Sequence, residues 1–289
     1  MKILYLVHRL PYPPNKGDKV RSFHLLKHLA ARHDVHLGTF IDDPDDEQHL
    51  PHVRGFCAGL HAARLNPRRA KLLSLRGLLS GEALSLPYYR DAGLQAWVDE
   101  TAARVGFDAV VVFSGVMAQY AQGLSRVKTL VDFVDVDSAK WRDYAPEHAW
   151  PMSWLYRREF AKLLGFEQRV ADAAECSFFV TDHEVALFRE LSPGRPLRLA
   201  ALGNGVDADY FAPDPARANP FAAGELSLVF TGAMDYWPNV DAVSWFASDI
   251  LPGLRERFPT LRLHIVGRSP APAVQALASE AVNVTGTVP

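Results

Sequence analysis

Two acidic residues, Asp135 and Asp137, follow the apolar segment 129–134, which we predict to be a buried strand. Ligands of open α/β sheets bind outside the carboxyl ends of the strands, where these carboxylates would lie. Paired carboxylates there could orient substrate hydroxyls or hold a metal ion. The alternative, which we favour for Asp137 and Ser138, is that one of them caps the following helix. Asp135 is therefore the candidate catalytic residue.

A second polar group surrounds Gly17, in the loop between the first predicted strand and the first predicted helix. Glycine lets the backbone approach a ligand, and the N–H groups at the start of a helix attract phosphate. Asp18, Lys19 and Arg21 would then line a cleft. Either cation is a candidate to contact a phosphate or an acidic acceptor. A glycine in such a loop is equally typical of a tight turn.

The elements that must position these residues are short apolar strands alternating with helices. The first strand is apolar at every position, which is typical of a parallel strand buried on both faces. An S/T-x-x-E capping box from Thr181 to Glu184 predicts the start of a helix. We interpret His183, inside that box, as a surface residue. The predicted strands of this region are 3–7, 35–41, 109–113, 129–134, 176–180 and 197–202.

The strand pattern is interrupted between Gly203 and Gly224, where Gly, Pro, Asn and Ala are frequent, as in an interdomain connection. It then restarts, with strands at 226–230, 261–266 and 282–285, a long amphipathic helix at 240–254 and a short helix at 272–279. Three strands and two helices make about half of a doubly wound domain. We therefore predict a domain at 1–203, a linker at 204–225 and an incomplete domain at 226–289, whose sheet has an unpaired apolar edge.

The composition argues against several classes of protein. The 31 basic and 33 acidic residues nearly cancel, so the net charge does not favour binding to nucleic acid. Cys57 and Cys176 are the only cysteines, which gives no support to a disulfide framework or a zinc cluster. No run of about 18 uncharged apolar residues predicts a spanning helix. The default compartment is the cytoplasm.

Leucines and basic residues interleave between Arg64 and Leu79. A basic amphipathic segment of this kind can lie on anionic lipid. A weaker case is offered by Trp150 and Trp154, with Tyr156, Arg157 and Arg158 after them. The alternative is a helix that packs on the core and keeps its arginines in water.

Three segments, taken in order along the chain, resemble glycosyltransferase family 4 of the GT-B fold. The resemblance implies an α/β chain of two Rossmann-like doubly wound domains, of which the second is incomplete here. The segments are His8 to Lys19, then Asn204 to Asp207 with Phe211 and Pro213, and finally Phe230 to Asp241 continuing through 250–252 to 265–267.

More narrowly, Val131 to Ser138 and residues 232–239 resemble sugar transferases of bacterial exopolysaccharide loci of the PEP-CTERM type. This implies transfer of a sugar from a nucleotide donor to a glycan or lipid-linked acceptor in surface polysaccharide synthesis. It further implies retention at the anomeric carbon, with no obligatory metal and no cofactor beyond the donor. The protein would be cytoplasmic, or attached peripherally to the inner face of the plasma membrane.

The resemblance also carries residues over. Gly232 matches the loop that approaches the donor diphosphate, and Asn204 lies at the turn between the domains. Relatives continue after that glycine with an arginine and a lysine that neutralise phosphate charge. This chain has Asp235 and Asn239 in the corresponding stretch, which leaves Arg268 as the nearest cation.

Two features of the relatives are absent. They often place a histidine after the strand 109–113, where this chain reads Phe113-Ser114-Gly115. They also supply two glutamates from the second half of the donor-side domain, which these residues lack. We therefore expect the 289 residues alone to be inactive. The alternatives are a non-catalytic nucleotide- or sugar-binding fragment and another GT-B activity, such as a nucleotide-sugar epimerase.

Overall fold

The computed structural model describes residues 1–124, 126–209 and 211–288. The chain divides into two compact units, Met1–Asp207 and Ala208–Pro289. The boundary between them lies inside the segment 204–225 that the sequence suggests as a linker. Each unit has its own hydrophobic core.

The first unit is built on a sheet of seven strands, all paired in parallel. Their spatial order is β3-β2-β1-β4-β5-β6-β7, so the strand order reverses beside β1. Ligands of open α/β sheets bind at such a switch point, outside the carboxyl ends of the strands. The strands are β1 Lys2–Val7, β2 Asp34–Ile41, β3 Gly59–Arg64, β4 Ala109–Phe113, β5 Lys128–Val134, β6 Cys176–Phe179 and β7 Leu199–Ala201.

Both faces of this sheet are covered, as the continuously apolar strands predict. Side chains alternate along β1, so that Leu4 and Leu6 enter one core while Tyr5 and Val7 enter the other. The helices of this unit are α1 Gly17–Ala30, α2 Leu50–Arg54, α3 Pro67–Ser74, α4 Arg76–Ser80, α5 Ser85–Tyr88, α6 Ala92–Val105, α7 Asp137–Tyr144, α8 Met152–Ala173 and α9 Asp182–Glu190, with 3₁₀ helices at Pro44–His49 and Gly115–Tyr120.

Strand β3 is missing from the sequence-based prediction. It lies at the edge of the sheet and pairs only with β2 among the described strands. Its residues are mostly half-buried. An edge strand of this kind needs no continuous apolar run, because only part of its surface is covered, and its sequence therefore gives a weak signal.

The second unit contains three parallel strands in the order β10-β9-β8. The helix predicted at 240–254 is broken by a π-helical turn at Phe246–Ile250. Pro252 explains the break, because it lacks the N–H that would bond to the carbonyl of Ser248. The elements are β8 Leu226–Thr231, α10 Trp237–Trp245, α11 Leu251–Arg257, β9 Leu261–Val266, α12 Pro272–Gln275 and β10 Val282–Gly286.

Strand β8 forms the exposed edge that the sequence predicts. Within the described residues it pairs only with β9. Leu228 and Val229 lie on opposite faces of the strand, and both are exposed. This edge of the sheet thus presents apolar side chains as well as unpaired backbone.

Candidate functional site

The switch point of the first unit is occupied by His8, the residue directly after β1. Its Nε2 lies 3.3 Å from a carboxylate oxygen of Asp18. Its ring stacks on Phe113 and meets the ring of Tyr89 edge-on, with centroids 5.9 and 6.0 Å away. The other ring nitrogen, Nδ1, is buried and has no hydrogen-bond partner in the described part of the chain. One polar atom of His8 is therefore left without a hydrogen-bond partner among the described residues.

Asp18 is held in place by two partners, His8 and Arg9. Arg9 donates to it at 2.9 Å and is itself 2.8 Å from Asp42. Burial acts to raise the pKa of Asp18, but the hydrogen bond from His8 and the charge of Arg9 outweigh it and keep that pKa well below its usual range. Asp18 is therefore a fixed negative charge that orients His8.

The ends of β4 and β5, which are neighbours in the sheet, have an unusual backbone. Ser114 and Val134 have φ angles of 72° and 71°. A β-branched residue such as Val134 is strained in the left-handed region, and strain of this kind concentrates at functional sites. The turn after Val134 presents Asp135, which is exposed, and Asp137, which is the first residue of α7.

Two glutamates from other helices hold the start of α7. Glu184 of α9 accepts a 2.7 Å hydrogen bond from the Val136 N–H. Glu167 of α8 accepts from the backbone N–H and the hydroxyl of Ser138, at 3.2 and 2.6 Å. Neither Asp137 nor Ser138 caps the helix, since the N-cap residue is Val136 and no side-chain cap bond is made. The capping role that we favoured for these two residues is therefore corrected.

The capping box at Thr181 is only half formed. The Thr181 hydroxyl accepts from the Glu184 N–H at 3.2 Å, as predicted. The Glu184 carboxylate, however, turns to Val136, because the start of α7 offers it an unpaired donor. His183 is exposed on the surface, as expected.

The carboxyl groups around the start of α7 hold their protons more tightly than usual. Burial, with the negative charge of Glu184, raises the pKa of Asp135. Burial also raises the pKa of Asp137, while a charge on His8 opposes the rise. Burial raises the pKa of Glu167 to about 8, and the bonds from Ser138 oppose it. Asp135 and Asp137 are consequently better proton acceptors than ordinary carboxylates.

The residues around Gly17 fall into different roles. Gly17 is exposed at the start of α1, and a Cβ added to it would meet nothing within 4 Å. The packing of the chain thus does not require a glycine there. Lys19 is buried, and its ammonium lies 2.5 Å from a carboxylate oxygen of Asp46. The structure corrects the expectation that Lys19 lines a cleft, because its charge is paired inside the unit.

Arg21 forms a bidentate pair with Asp132 of β5, at 2.8 and 3.1 Å. Its third contact is a 3.0 Å hydrogen bond to the side-chain oxygen of Asn204. The side chains of Arg21 and Asp132 are nearly buried. This geometry joins α1, β5 and the segment after β7, so Arg21 and Asn204 act first as structural partners. Contact of either residue with a ligand stays a prediction.

Two glycines of the second unit, Gly232 and Gly267, lie close together at the ends of β8 and β9. Gly267 has a φ of 151°, and a Cβ added to it would lie 1.6 Å from the carbonyl oxygen of Gly232. A Cβ on Gly232 would lie 2.7 Å from the side-chain nitrogen of Asn239. Asn239, in α10, donates to the carbonyl of Ala233 at 3.0 Å. Asn239 therefore shapes the glycine loop.

The remaining predicted residues of this unit, Asp235 and Arg268, are exposed. The backbone carbonyl of Arg268 accepts from the N–H of Met234, which ties the loop after β9 to the loop after β8. Arg268 therefore stands beside the glycine pair. Among the described residues, no group of three or more His, Cys, Asp or Glu side chains is arranged to hold a metal ion.

Sequence reasoning missed His8, Glu167 and Glu184 as members of the site. His8 gives a signal, since it is the polar residue that directly follows the first buried strand. The two glutamates give none, because each lies within a helix and meets α7 only through tertiary packing.

Comparison with known proteins gives one family match and several similar structures. Residues 225–289 match the family described as Glycosyl transferases group 1. No curated protein sequence matches the chain. Sucrose-phosphate synthase from Thermosynechococcus elongatus is similar in structure, with a TM-score of 0.65 at 16% identity over 100% of this chain and 71% of that chain. HepE from Anabaena, solved in complex with UDP, gives 0.60 at 16% identity over 100% of this chain and 70% of that chain.

At these identities the solved structures establish the fold alone, and the family match is confined to the second unit. Both are consistent with a seven-stranded parallel sheet followed by a second parallel unit. The chain therefore has the GT-B fold, and its residues 225–289 match the group 1 glycosyltransferase family.

Proposed function

We propose that the chain uses a uridine diphosphate sugar and transfers the sugar, with retention, to a glycan or lipid-linked acceptor in bacterial surface polysaccharide synthesis. The main support for binding of the sugar donor is the glycine pair Gly232 and Gly267, whose backbones lie close together at the carboxyl ends of β8 and β9. This pair lies inside the segment that matches the group 1 family. HepE, which shares the fold, has been solved with UDP and with UDP-glucose.

The donor diphosphate would lie against this glycine loop. The absence of side chains at both positions leaves the backbone of this loop accessible to the phosphates. The exposed guanidinium of Arg268 supplies positive charge for the diphosphate as it departs. Asp235 and Asn239 stay binding candidates, with Asn239 acting through the shape of the loop.

The acceptor would meet the first unit at the switch point. His8 offers an unpartnered Nδ1, and Asp135 and Asp137 offer carboxyl groups whose pKa values are raised. A hydroxyl group of the acceptor could be oriented by one carboxylate and lose its proton to it during transfer. Asp135 remains the candidate catalytic residue, and His8 joins it. Gly17 leaves open space beside α1.

Attachment to an anionic membrane surface is part of the proposal. Leu72, Leu79 and Trp150 expose 71%, 93% and 81% of their surface, next to the basic residues of 64–76 and 157–158. No helix in the described part of the chain is long and apolar enough to cross a bilayer. Flotation with vesicles that contain anionic phosphatidylglycerol should recover the chain, and Leu72→Ser with Leu79→Ser should reduce that recovery. Equal recovery with neutral vesicles would contradict the membrane contact.

Calorimetric titration of the full chain with UDP and with UDP-glucose tests the donor half. We expect binding of both, and a loss of at least tenfold in affinity when Gly232 is replaced by Val. The control is Gly253→Ala in α11, where an added Cβ meets nothing within 4 Å. An absence of binding would refute the proposal.

A further inference from the structure

A cavity of about 300 Å³ lies in the first unit, between α3, α5, α7 and α8. Its walls are mainly apolar and aromatic, and Leu84, Tyr88, Tyr89, Trp141, Leu155 and Tyr156 contribute most of them. Its volume is at the lower end of the range for small-molecule sites, about 300 to 1,000 Å³. The cavity is therefore large enough to hold part of a ligand, and its chemistry suits an apolar one.

The one buried acidic group in the cavity wall, among the residues described, is already satisfied. Glu159 accepts hydrogen bonds from the backbone N–H groups of Leu84 and Ser85 and from the Ser85 hydroxyl, at 2.6, 2.9 and 2.6 Å. It thus holds α5 against α8 and offers little to a ligand. A polar or charged occupant would find few partners inside the cavity.

Tyr89 connects one end of the cavity to the polar site. Tyr89 lines the cavity, and its ring meets the ring of His8 edge-on, at 6.0 Å between centroids. The charges of Arg9 and Asp137 both act on the Tyr89 hydroxyl. The end of the cavity that Tyr89 forms therefore lies next to His8.

The helices that line the cavity also carry exposed apolar side chains. Lys71 of α3 lines the cavity, and Leu75, four residues later on the same helical face, is exposed. On α8, Leu155 lines the cavity and the preceding Trp154 is exposed. Cations accompany these side chains, so the surface complements an anionic bilayer. They are Arg68, Arg69, Lys71, Arg76 and Arg157.

We infer that this cavity binds the hydrocarbon chain of a membrane-derived lipid phosphate, whose polar end lies at His8 and whose chain leaves toward the bilayer between α3 and the start of α8. The inference rests on the proposed function, since it specifies the acceptor as a lipid-linked one. The apolar walls fit the chain, and the cations on the surrounding surface fit the anionic membrane from which it comes.

Farnesyl phosphate is a suitable probe, because it joins one apolar chain to one phosphate. Its binding to the full chain would be followed below its micellar concentration through the fluorescence of Trp141 and by calorimetry. Leu84→Trp and, separately, Leu155→Trp fill the cavity, and each should weaken the affinity at least tenfold. Ala96→Trp is the matched control, because it adds the same ring to an exposed position of α6. Its affinity should equal that of the wild type.

Two outcomes would overturn the inference. In one, farnesyl phosphate binds no more tightly than inorganic phosphate. In the other, both filled variants bind it as well as the wild type, with circular dichroism showing that they are folded. UDP binding is measured on the same samples. Its persistence would leave the proposed donor function standing while the lipid site fails, and its absence from the wild type would remove the proposed function instead.

Discussion

At the residue scale, the chemistry of the first unit centres on carboxyl groups that are reluctant to ionise. Asp135 is exposed and Asp137 is half-buried, whereas Glu167 is buried and bonds to Ser138. The raised pKa values share one main cause, burial, and the carboxyl groups reinforce one another by repulsion. A pair of this kind accepts a proton near neutral pH more readily than free aspartate does.

Replacing Glu167 by Gln should flatten the dependence of stability on pH. The folded-state pKa of about 8 exceeds the ordinary value of 4.5. The stabilisation is therefore complete below pH 4.5 and is lost as the pH rises toward 8, at up to about 1.4 kcal/mol per pH unit. Glutamine keeps the protonated form's bonds to Ser138 and does not ionise. In urea unfolding, the free energy of unfolding should fall less between pH 5 and pH 8 in the variant than in the wild type. The difference should be about 1 kcal/mol or more.

The control for this measurement is Glu100→Gln on the exposed face of α6, which should retain the wild-type dependence on pH. If the Glu167→Gln variant lost as much stability as the wild type between pH 5 and pH 8, Glu167 would already be ionised at pH 5. The raised pKa of Glu167 would then be refuted.

Gly267→Ala should severely destabilise the second unit. The new Cβ would overlap the carbonyl oxygen of Gly232, and backbone atoms have no free rotation by which to withdraw. We expect a loss of at least about 3 kcal/mol, detected by urea unfolding through the fluorescence of Trp237 and Trp245. Gly232→Ala should cost less, because its Cβ meets the end of the Asn239 side chain, which can move.

Gly253→Ala supplies the comparison, since it lies in α11 with open space around it. There the exchange should be neutral or stabilising by up to about 1 kcal/mol, because alanine favours a helix. Equal stability of the Gly267 and Gly253 variants would show that the two loops do not meet as described.

At the element scale, the loops of the first unit are fixed by side chains that reach from one element to another. Glu167 and Glu184 tie α8 and α9 to the start of α7, and Arg21 ties α1 to β5 and to the segment at Asn204. The position of Asp135 and Asp137 therefore depends on the packing of several helices as well as on the strand that precedes them.

Arg21→Met should destabilise the first unit by about 3 to 5 kcal/mol, because it leaves the carboxylate of Asp132 buried without its partner. The double variant Arg21→Met with Asp132→Leu should recover at least half of that loss, since no charge then remains buried. The measurement is a double-mutant cycle by urea unfolding. If the loss of stability in the double variant equalled the sum of the losses in the two single variants, coupling between Arg21 and Asp132 would be ruled out.

At the scale of the whole molecule, the two units have separate cores and are connected by an exposed segment. The described residues at 203–209 and 211–220 are exposed throughout. Limited proteolysis should cut first within this stretch, because exposed loop backbone is accessible to a protease. Mass spectrometry would identify the fragments. First cuts within the strands or helices of residues 1–202 would contradict this organisation.

Much of the fold follows from local sequence patterns. The continuously apolar segments become β1, β2, β4, β5 and β6 because a parallel strand buried on both faces needs apolar side chains at every position. The edge strand β3 escapes prediction because half of it faces water. The break before α11 also escapes, since a pattern of apolar residues does not show what Pro252 does to the hydrogen bonds of the turn before it.

The candidate site was less predictable than the fold. Asp135, Asp137 and Gly232 follow strands β5 and β8 as predicted, and their part in binding stays a prediction. The roles of Lys19 and Arg21 could not be predicted, because both lie in one helix with acceptors that come from distant segments, Asp46 and Asp132. The positive charges of Lys19 and Arg21, which we expected to contact a ligand, are thus paired with acidic residues of the same chain.

The sequence by itself determined the alternation of strands and helices, the placement of the polar residues at strand ends and the resemblance to glycosyltransferases, because these depend on local periodicity and on short motifs. The tertiary structure decided which charges are neutralised, which carboxyl groups keep their protons and where an apolar cavity opens beside His8. Those properties depend on burial and on distances between residues far apart in the chain, which no local pattern records.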